Sequence, residues 1–111
     1  PPAWLLGGNA GTLPLTHFLG TIDNLPLSIR VNNLRTMQYA YASNGTYHGM
    51  NVLGGAAINT ITPASIGATI AGGGMDAFSS FDSPNAVGGD FGTVGGGAGN
   101  TFNAFGTIGG G

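Results

Sequence analysis

The sequence contains no lysine, no glutamate and no cysteine. Arg30 and Arg35 are its only cations; Asp23, Asp76, Asp82 and Asp90 are its only anions. A nucleic-acid binder needs a basic face to neutralise phosphates, and two arginines do not make one, so that function class is excluded. Binding to an anionic membrane surface through basic residues fails for the same reason. No apolar run reaches the length of a membrane-spanning helix. Without cysteine there is neither a disulfide framework nor a thiolate nucleophile. Without lysine a phosphate-binding loop of the Gly-x-x-x-x-Gly-Lys type cannot be built. So little charge also leaves little protection against self-association.

The sets of residues that carry catalysis are missing as well. His17 and His48 are isolated in sequence, with no partner at metal-ligand spacing, whereas a zinc site needs three or four ligands in reach. Gly96-Gly97-Ala98-Gly99-Asn100 begins like a calcium-binding nonapeptide but lacks its aspartate. The four aspartates sit in turn-like surroundings, where Asp serves the backbone rather than proton transfer. The chain is therefore read as a non-enzyme, with no catalytic residue, cofactor or metal site.

What is present in excess is glycine. The 23 glycines and 6 prolines fill about a quarter of the 111 residues. Disordered chains combine low hydrophobicity with high charge. Here hydrophobic residues make up 41% and charged ones 5%, so ordered structure is expected.

The glycines recur in a pattern. Phe91-Gly92-Thr93-Val94-Gly95-Gly96-Gly97 returns fourteen residues later as Phe105-Gly106-Thr107-Ile108-Gly109-Gly110-Gly111, and Ala68-Thr69-Ile70-Ala71-Gly72-Gly73-Gly74 is a looser upstream copy. A second echo pairs Phe78-Ser79-Ser80-Phe81 with Phe102-Asn103-Ala104-Phe105. Thr-Val and Thr-Ile suit a pleated strand. Three consecutive glycines suit a tight turn or a close backbone approach. Fourteen residues is too short for a helical repeat and fits one coil of a β-roll or β-solenoid. Side-chain-free faces would also let identical subunits approach closely.

Upstream the pattern changes. Trp4-Leu5-Leu6 reads as a short strand or an anchor against a neighbouring subunit. Leu27-Ser28-Ile29-Arg30-Val31 alternates apolar and polar residues, as a half-buried strand does. Asn32-Asn33 tolerates positive φ and suits a two-residue turn, so Leu25 to Tyr41 is expected to be a β-hairpin. Ala42 to Met50 reads as polar and turn-like, and it contains the glycosylation sequon Asn44-Gly45-Thr46. Asn51-Val52-Leu53-Gly54-Gly55 reads as a degenerate repeat strand, and Asp82-Ser83-Pro84-Asn85 as part of an inserted loop. The start without an initiator Met and the abrupt stop on a glycine triplet read as a mature piece or an excised fragment.

Two stretches resemble known families. Gly8-Asn9-Ala10-Gly11-Thr12, Phe18-Leu19-Gly20-Thr21-Ile22-Asp23-Asn24, and Leu27 through Arg30-Val31-Asn32-Asn33 to Arg35 and Met37 resemble a segment common in tail-fibre-like proteins of bacteria and phages. The two glycine-rich repeats at Gly92 and Gly106 look like the left-handed β-roll head repeats of trimeric autotransporter adhesins. Together these cover most of the chain. The resemblance implies a parallel homotrimer forming a rod outside the cell or on a virion.

The expected architecture is all-β. An N-terminal β-hairpin connector (residues 1–50) leads into a short-strand, Gly-rich β-roll or β-solenoid (residues 51–111), intertwined as a parallel homotrimer. The expected function is structural: a segment of an extracellular homo-oligomeric fibre, giving a rigid rod that attaches to surfaces. Its partner is itself, and a host surface glycan or protein is a second partner. The expected oligomer interface draws on Trp4, Leu27, Ile29, Val31, Ile70, Val94 and Ile108 with Gly95, Gly96, Gly109 and Gly110. The alternatives are a glycan- or protein-binding module using Tyr39, Tyr41, Tyr47 and the phenylalanines, and a polymerising filament subunit. An ice-binding solenoid wants a regular rank of threonines, and Thr69, Thr93 and Thr107 are few and unevenly spaced.

Overall fold

The structure is a computed structural model that describes residues 3–77, 81–103 and 105–111. It is all-β, with no helix among the described residues. β1 (Leu27–Val31) and β2 (Leu34–Ser43) pair antiparallel as the expected hairpin. Asn32 and Asn33 turn it with φ of 52° and 57°, the positive pair that a two-residue hairpin loop demands.

The hairpin is one arm longer than its alternation suggests. β2 runs on to Ser43 and pairs antiparallel with β3 (His48–Gly54), so Ala42 to Met50 is not one turn. The turn proper spans residues 44 to 47, where Asn44 Oδ1 accepts the backbone N–H groups of Thr46 (2.9 Å) and Tyr47 (2.7 Å). That side chain stands in for a missing strand partner, as Asx turns do.

Beyond β3 the chain alternates between two sheets through β4 (Thr60–Ile61), β5 (Thr69–Ile70), β6 (Ala86–Val87), β7 (Gly92–Val94), β8 (Thr101–Phe102) and β9 (Gly106–Ile108). The larger sheet has the order β1-β2-β3-β5-β7-β9, and the smaller β4-β6-β8. Among the described residues every strand pairing after β2–β3 is parallel. β3 crosses residue 50, so one continuous sheet holds both segments expected from the sequence.

Strands of two or three residues each send one side chain inward. In the larger sheet Leu53, Ile70, Val94 and Ile108 fall in one register column; in the smaller sheet Ile61, Val87 and Phe102 do. Leu53, Ala68, Ile70, Val87 and Val94 form the buried cluster, with Ile61 and Ile108 packed against it. At roughly 1.5–3 kcal/mol for each large aliphatic side chain, this is a thin core.

The repeat is regular in space though not in sequence. Val52 to Thr69 is 17 residues, Thr69 to Thr93 is 24, and Thr93 to Thr107 is 14, yet each pair is in register. The longest step holds the expected insertion, which closes on itself. Met75 and Ser83 exchange backbone hydrogen bonds of 3.0 and 2.8 Å, and Asp82 Oδ1 accepts from Ala77 N–H. The strands on either side then stack as if the insertion were absent. Phe78, Ser79, Ser80 and Ala104, which carry part of the second echo, lie outside the described residues. Phe102, whose counterpart Phe78 is among these, pairs with Val87 in a strand, while Phe81 and its counterpart Phe105 are both exposed.

Candidate functional site

Two features stand out: an asparagine ladder between the sheets, and an uncovered apolar face over the N-terminal part of the chain.

Asn59, Asn85 and Asn100 each immediately precede a strand of the smaller sheet. Asn59 and Asn85 are fully buried. Asn59 Nδ2 donates to Gly54 O and Gly73 O, both at 3.0 Å. Asn85 Nδ2 donates to Gly72 O (3.1 Å) and Gly97 O (3.0 Å). Asn100 Nδ2 reaches Gly96 O (2.8 Å), Asn85 Oδ1 (3.2 Å) and Gly111 O (3.5 Å). Asn85 N–H donates to Asn59 Oδ1 and Asn100 N–H to Asn85 Oδ1. Each amide thus bonds the glycines of its own and the next pass, and Asn59 and Asn85 each receive the next asparagine. A buried amide must be satisfied in this way or cost free energy. Among the described residues no buried side-chain N or O lacks a partner.

The ladder explains several of the glycines in the clusters that precede each pass. A Cβ at Gly73 would run into Gly97 O, at Gly97 into Gly111 O, and at Gly74 into the Asn59 amide. Gly73 and Gly97 also have positive φ, which costs an L side chain about 1–2 kcal/mol. The expected interface glycines divide. At Gly95 a Cβ would meet Gly109 O of the same chain, whereas Gly96 and Gly109 open onto free space and Gly110 has only Gly96 near it, at 3.9 Å. The close approach read from these triplets is therefore, in large part, the chain against itself.

The other expected interface residues also divide. Ile70 and Val94 are wholly buried in the chain's own core, and Ile108 packs against that core. Leu27 is half-buried, while Trp4, Ile29 and Val31 are exposed.

The uncovered apolar face starts with the leader. Every residue from Ala3 to Pro26 is exposed. Local polar contacts shape it: Trp4 Nε1 donates to Phe18 O (3.1 Å), Asn9 bridges Ala3 O and Leu5 N–H, and Leu13 N–H donates to His17 Nδ1 (3.1 Å). Trp4-Leu5-Leu6 forms no strand. Thr21 Oγ1 donates to Leu25 O (3.0 Å), holding Ile22 and Leu25 over the sheet. There they line a groove of about 420 Å³ with Leu27, Tyr39, Tyr41 and Met50, and Asp23 at its rim. Tyr39 is 43% exposed and Tyr41 44%, and Tyr41 stacks on His48 at 5.8 Å. At a corner of the stack Phe91 and Phe105 lie face to face at 5.7 Å, both exposed.

Arg35 and Asp90 bond to the backbone, and Arg30 to a neighbouring side chain. Arg35 Nη2 donates to Ala57 O and Asn59 O, both at 2.8 Å, and Arg30 Nη1 to Asn33 Oδ1. Asp90 Oδ1 accepts from Ile66 N–H. Among the described residues no three His, Cys, Asp or Glu gather at metal-binding distance, and no helix is long and apolar enough to cross a membrane.

Sequence reading missed the ladder. Its signal was available: an Asn followed by Thr-Ile, Ala-Val or Thr-Phe, downstream of each internal glycine cluster. The unequal spacings hid it, whereas the three aligned repeat copies already placed Thr69, Thr93 and Thr107 in equivalent positions, as the register has them. In the comparisons with known proteins, no protein-family model, no curated protein and no solved structure matches this chain.

Proposed function

We propose that this chain is a structural segment of an extracellular homo-oligomeric fibre. Its short parallel strands form a β-solenoid rod, and its N-terminal third docks against other copies. The observation that carries this reading is the surface a lone chain exposes. A folded monomer of 10.9 kDa is expected to expose about 5,600 Å², and this chain exposes 7429 Å². Its radius of gyration is 15.9 Å, against about 13 Å for a compact domain of this length. The excess surface is about 1,800 Å², and the exposed large apolar side chains are concentrated on the leader and hairpin, Trp4, Leu6, Leu15, Phe18, Ile22 and Val31 among them. A standard interface takes about 800 Å² from each partner, so the excess corresponds to roughly two such patches per chain. A closed trimer gives each chain two neighbours. With almost no charge to hold copies apart, the surface favours association over solvation.

Light scattering behind a sizing column tests this. A mass near three chains is expected. A monomer that persists at high concentration overturns the reading, and large polydisperse particles replace the closed trimer with an open filament.

A second reading draws on the groove. Tyr39 and Tyr41, both partly exposed beside Asp23 and Asn24, combine flat apolar rings with hydrogen-bonding groups, a lining suited to a neutral glycan. Tyr41→Ala should abolish retention on immobilised glycans without altering native mass. If retention and mass fall together, the groove belongs to the assembly.

A further inference from the structure

We propose that the outer edge of β8 is a docking edge for a further polypeptide coil, and that the coil it fits carries an Asn-x-apolar triplet. The proposal rests on the ladder and is independent of the homo-oligomer reading.

The two ends of the stack differ. At the β3 end the larger sheet is covered by β2, and the carbonyls ahead of β4 are occupied by Arg35, which reaches Ala57 O and Asn59 O. At the β8 end no described residue does the same. Ala86 N–H bonds to Asn100 O and Gly88 N–H to Phe102 O. A strand alternates its polar groups between its two edges, so the N–H groups of Thr101 and Asn103 face away from β6. No described residue donates to Asn100 Oδ1, although Asn59 Oδ1 and Asn85 Oδ1 each receive the next asparagine's N–H. Asn100 Nδ2 is meanwhile fastened to Gly96 O, which holds the carbonyl oxygen in place before any partner arrives. Natural edges are guarded by charge, proline or a bulge; β8 (Thr101–Phe102) and β9 (Gly106–Ile108) carry no charged residue and no proline.

The earlier passes define the partner. Its asparagine N–H donates to Asn100 Oδ1, and its asparagine C=O accepts from Thr101 N–H. The carbonyl two residues on accepts from Asn103 N–H, as Phe102 O does from Gly88. The third residue is apolar because it stacks on Phe102, as Phe102 is in register with Val87 and Val87 with Ile61. This is strand addition read by a side-chain amide as well as by the backbone. The occupant is a coil of this chain's own pattern, for which residues 98–111 are the template.

The test extends the chain after Gly111 with a second copy of residues 98–111 and follows amide hydrogen exchange. The Thr101 and Asn103 amides should exchange at least about tenfold more slowly in the extended chain. That protection should vanish when the asparagine of the added coil is replaced by leucine. Thr101→Pro provides a variant that removes an outward N–H while sparing the inner ladder. Exchange at Ile70 and Val94 should stay as in the parent, and protection at Asn103 should fall. Unchanged exchange in the extended chain overturns the proposal, as does equal protection by the leucine version. Concentration-dependent protection in the unextended chain assigns the edge to a second copy and overturns it too.

Discussion

Asn85→Ala is the substitution on which the account of this fold depends most. Its amide is fully buried and makes four hydrogen bonds, to Gly72 O and Gly97 O as donor and from Asn100 N–H and Nδ2 as acceptor. Truncation leaves the Asn100 N–H and Gly72 O without partners, whereas Gly97 O keeps the N–H of Gly74. An orphaned buried group costs about 1–3 kcal/mol, and these two are only partly buried, so the loss should be roughly 1–4 kcal/mol. A domain of this size has about 5–15 kcal/mol in all. With a urea slope of about 1–3 kcal/mol/M, the midpoint should fall by on the order of 1–2 M in a denaturation curve read by circular dichroism. Protein concentration must be held fixed, because association stabilises the folded state by mass action. Asn103→Ala, at an exposed position, is the reference and should stay within about 0.5 kcal/mol. If the two variants lose the same amount, the ladder does not hold the stack. Asn85→Asp adds a pH test. It keeps the acceptor but turns an oxygen toward two carbonyls in a buried site, which favours the neutral acid. The folded state of that variant then binds the proton more tightly than the unfolded state. Its stability should therefore fall as pH rises through and above the carboxyl range, leaving it more stable near pH 4 than near pH 7 relative to the parent.

Three further perturbations separate the parts of the fold. Gly73→Ala, at φ 74° and facing Gly97 O, should cost more than about 3 kcal/mol, whereas Gly96→Ala, with no atom within 4 Å, should change stability by less than about 0.5 kcal/mol; thermal melts of the pair decide it. Arg35→Met keeps the stem but removes the donors to Ala57 O and Asn59 O, so it should cost about 1–3 kcal/mol and speed amide exchange around Asn59, while Arg30→Met should do neither. Trp4 is the only tryptophan and is half exposed in the single chain, so its fluorescence should shift to the red on dilution as copies separate; an emission maximum that ignores concentration over the range where mass changes would remove the leader from the interface.

The sequence was most legible where local chemistry decides structure. Alternation in Leu27–Val31 and the Asn32-Asn33 pair require nothing beyond neighbours to form a hairpin, and the hairpin is there. The two near-identical repeats, at Gly92 and Gly106, pair in register as their likeness suggests. Legibility ended where a residue's partner lies one pass away through loops of unequal length. Asn59 and Asn85 are 26 residues apart and Asn85 and Asn100 only 15, so no fixed period links them. The length of β2 was hidden because Ala42 and Ser43 look like loop until β3 is beside them. The glycines were read as faces offered to other subunits because sequence shows the missing side chain but not the carbonyl that takes its place.

That last point separates two kinds of apolar residue that composition alone treats as equivalent. In the second half, Ile70, Val87 and Val94 are consumed by the chain's own stack, and glycine with asparagine keeps successive passes close enough for such short strands to share a core. In the first half, Trp4 to Leu25 have neither a glycine-asparagine scaffold nor a core to enter, and they remain outside. Folding of one chain satisfies the first set and does nothing for the second. Ordering the leader costs about 1–2 kcal/mol of backbone entropy for each residue, and its few local hydrogen bonds cannot offset that. Burial of its large apolar side chains can, at roughly 1.5–3 kcal/mol each, but only against a surface the single chain does not supply. On the proposed homo-oligomer reading, the order of the leader and the association of copies are therefore one event. A variant such as Leu15→Asp should lower native mass and raise amide exchange through residues 4–25 together, while leaving exchange at Ile70 and Val94 unchanged. Loss of one without the other would show that the leader holds its shape alone.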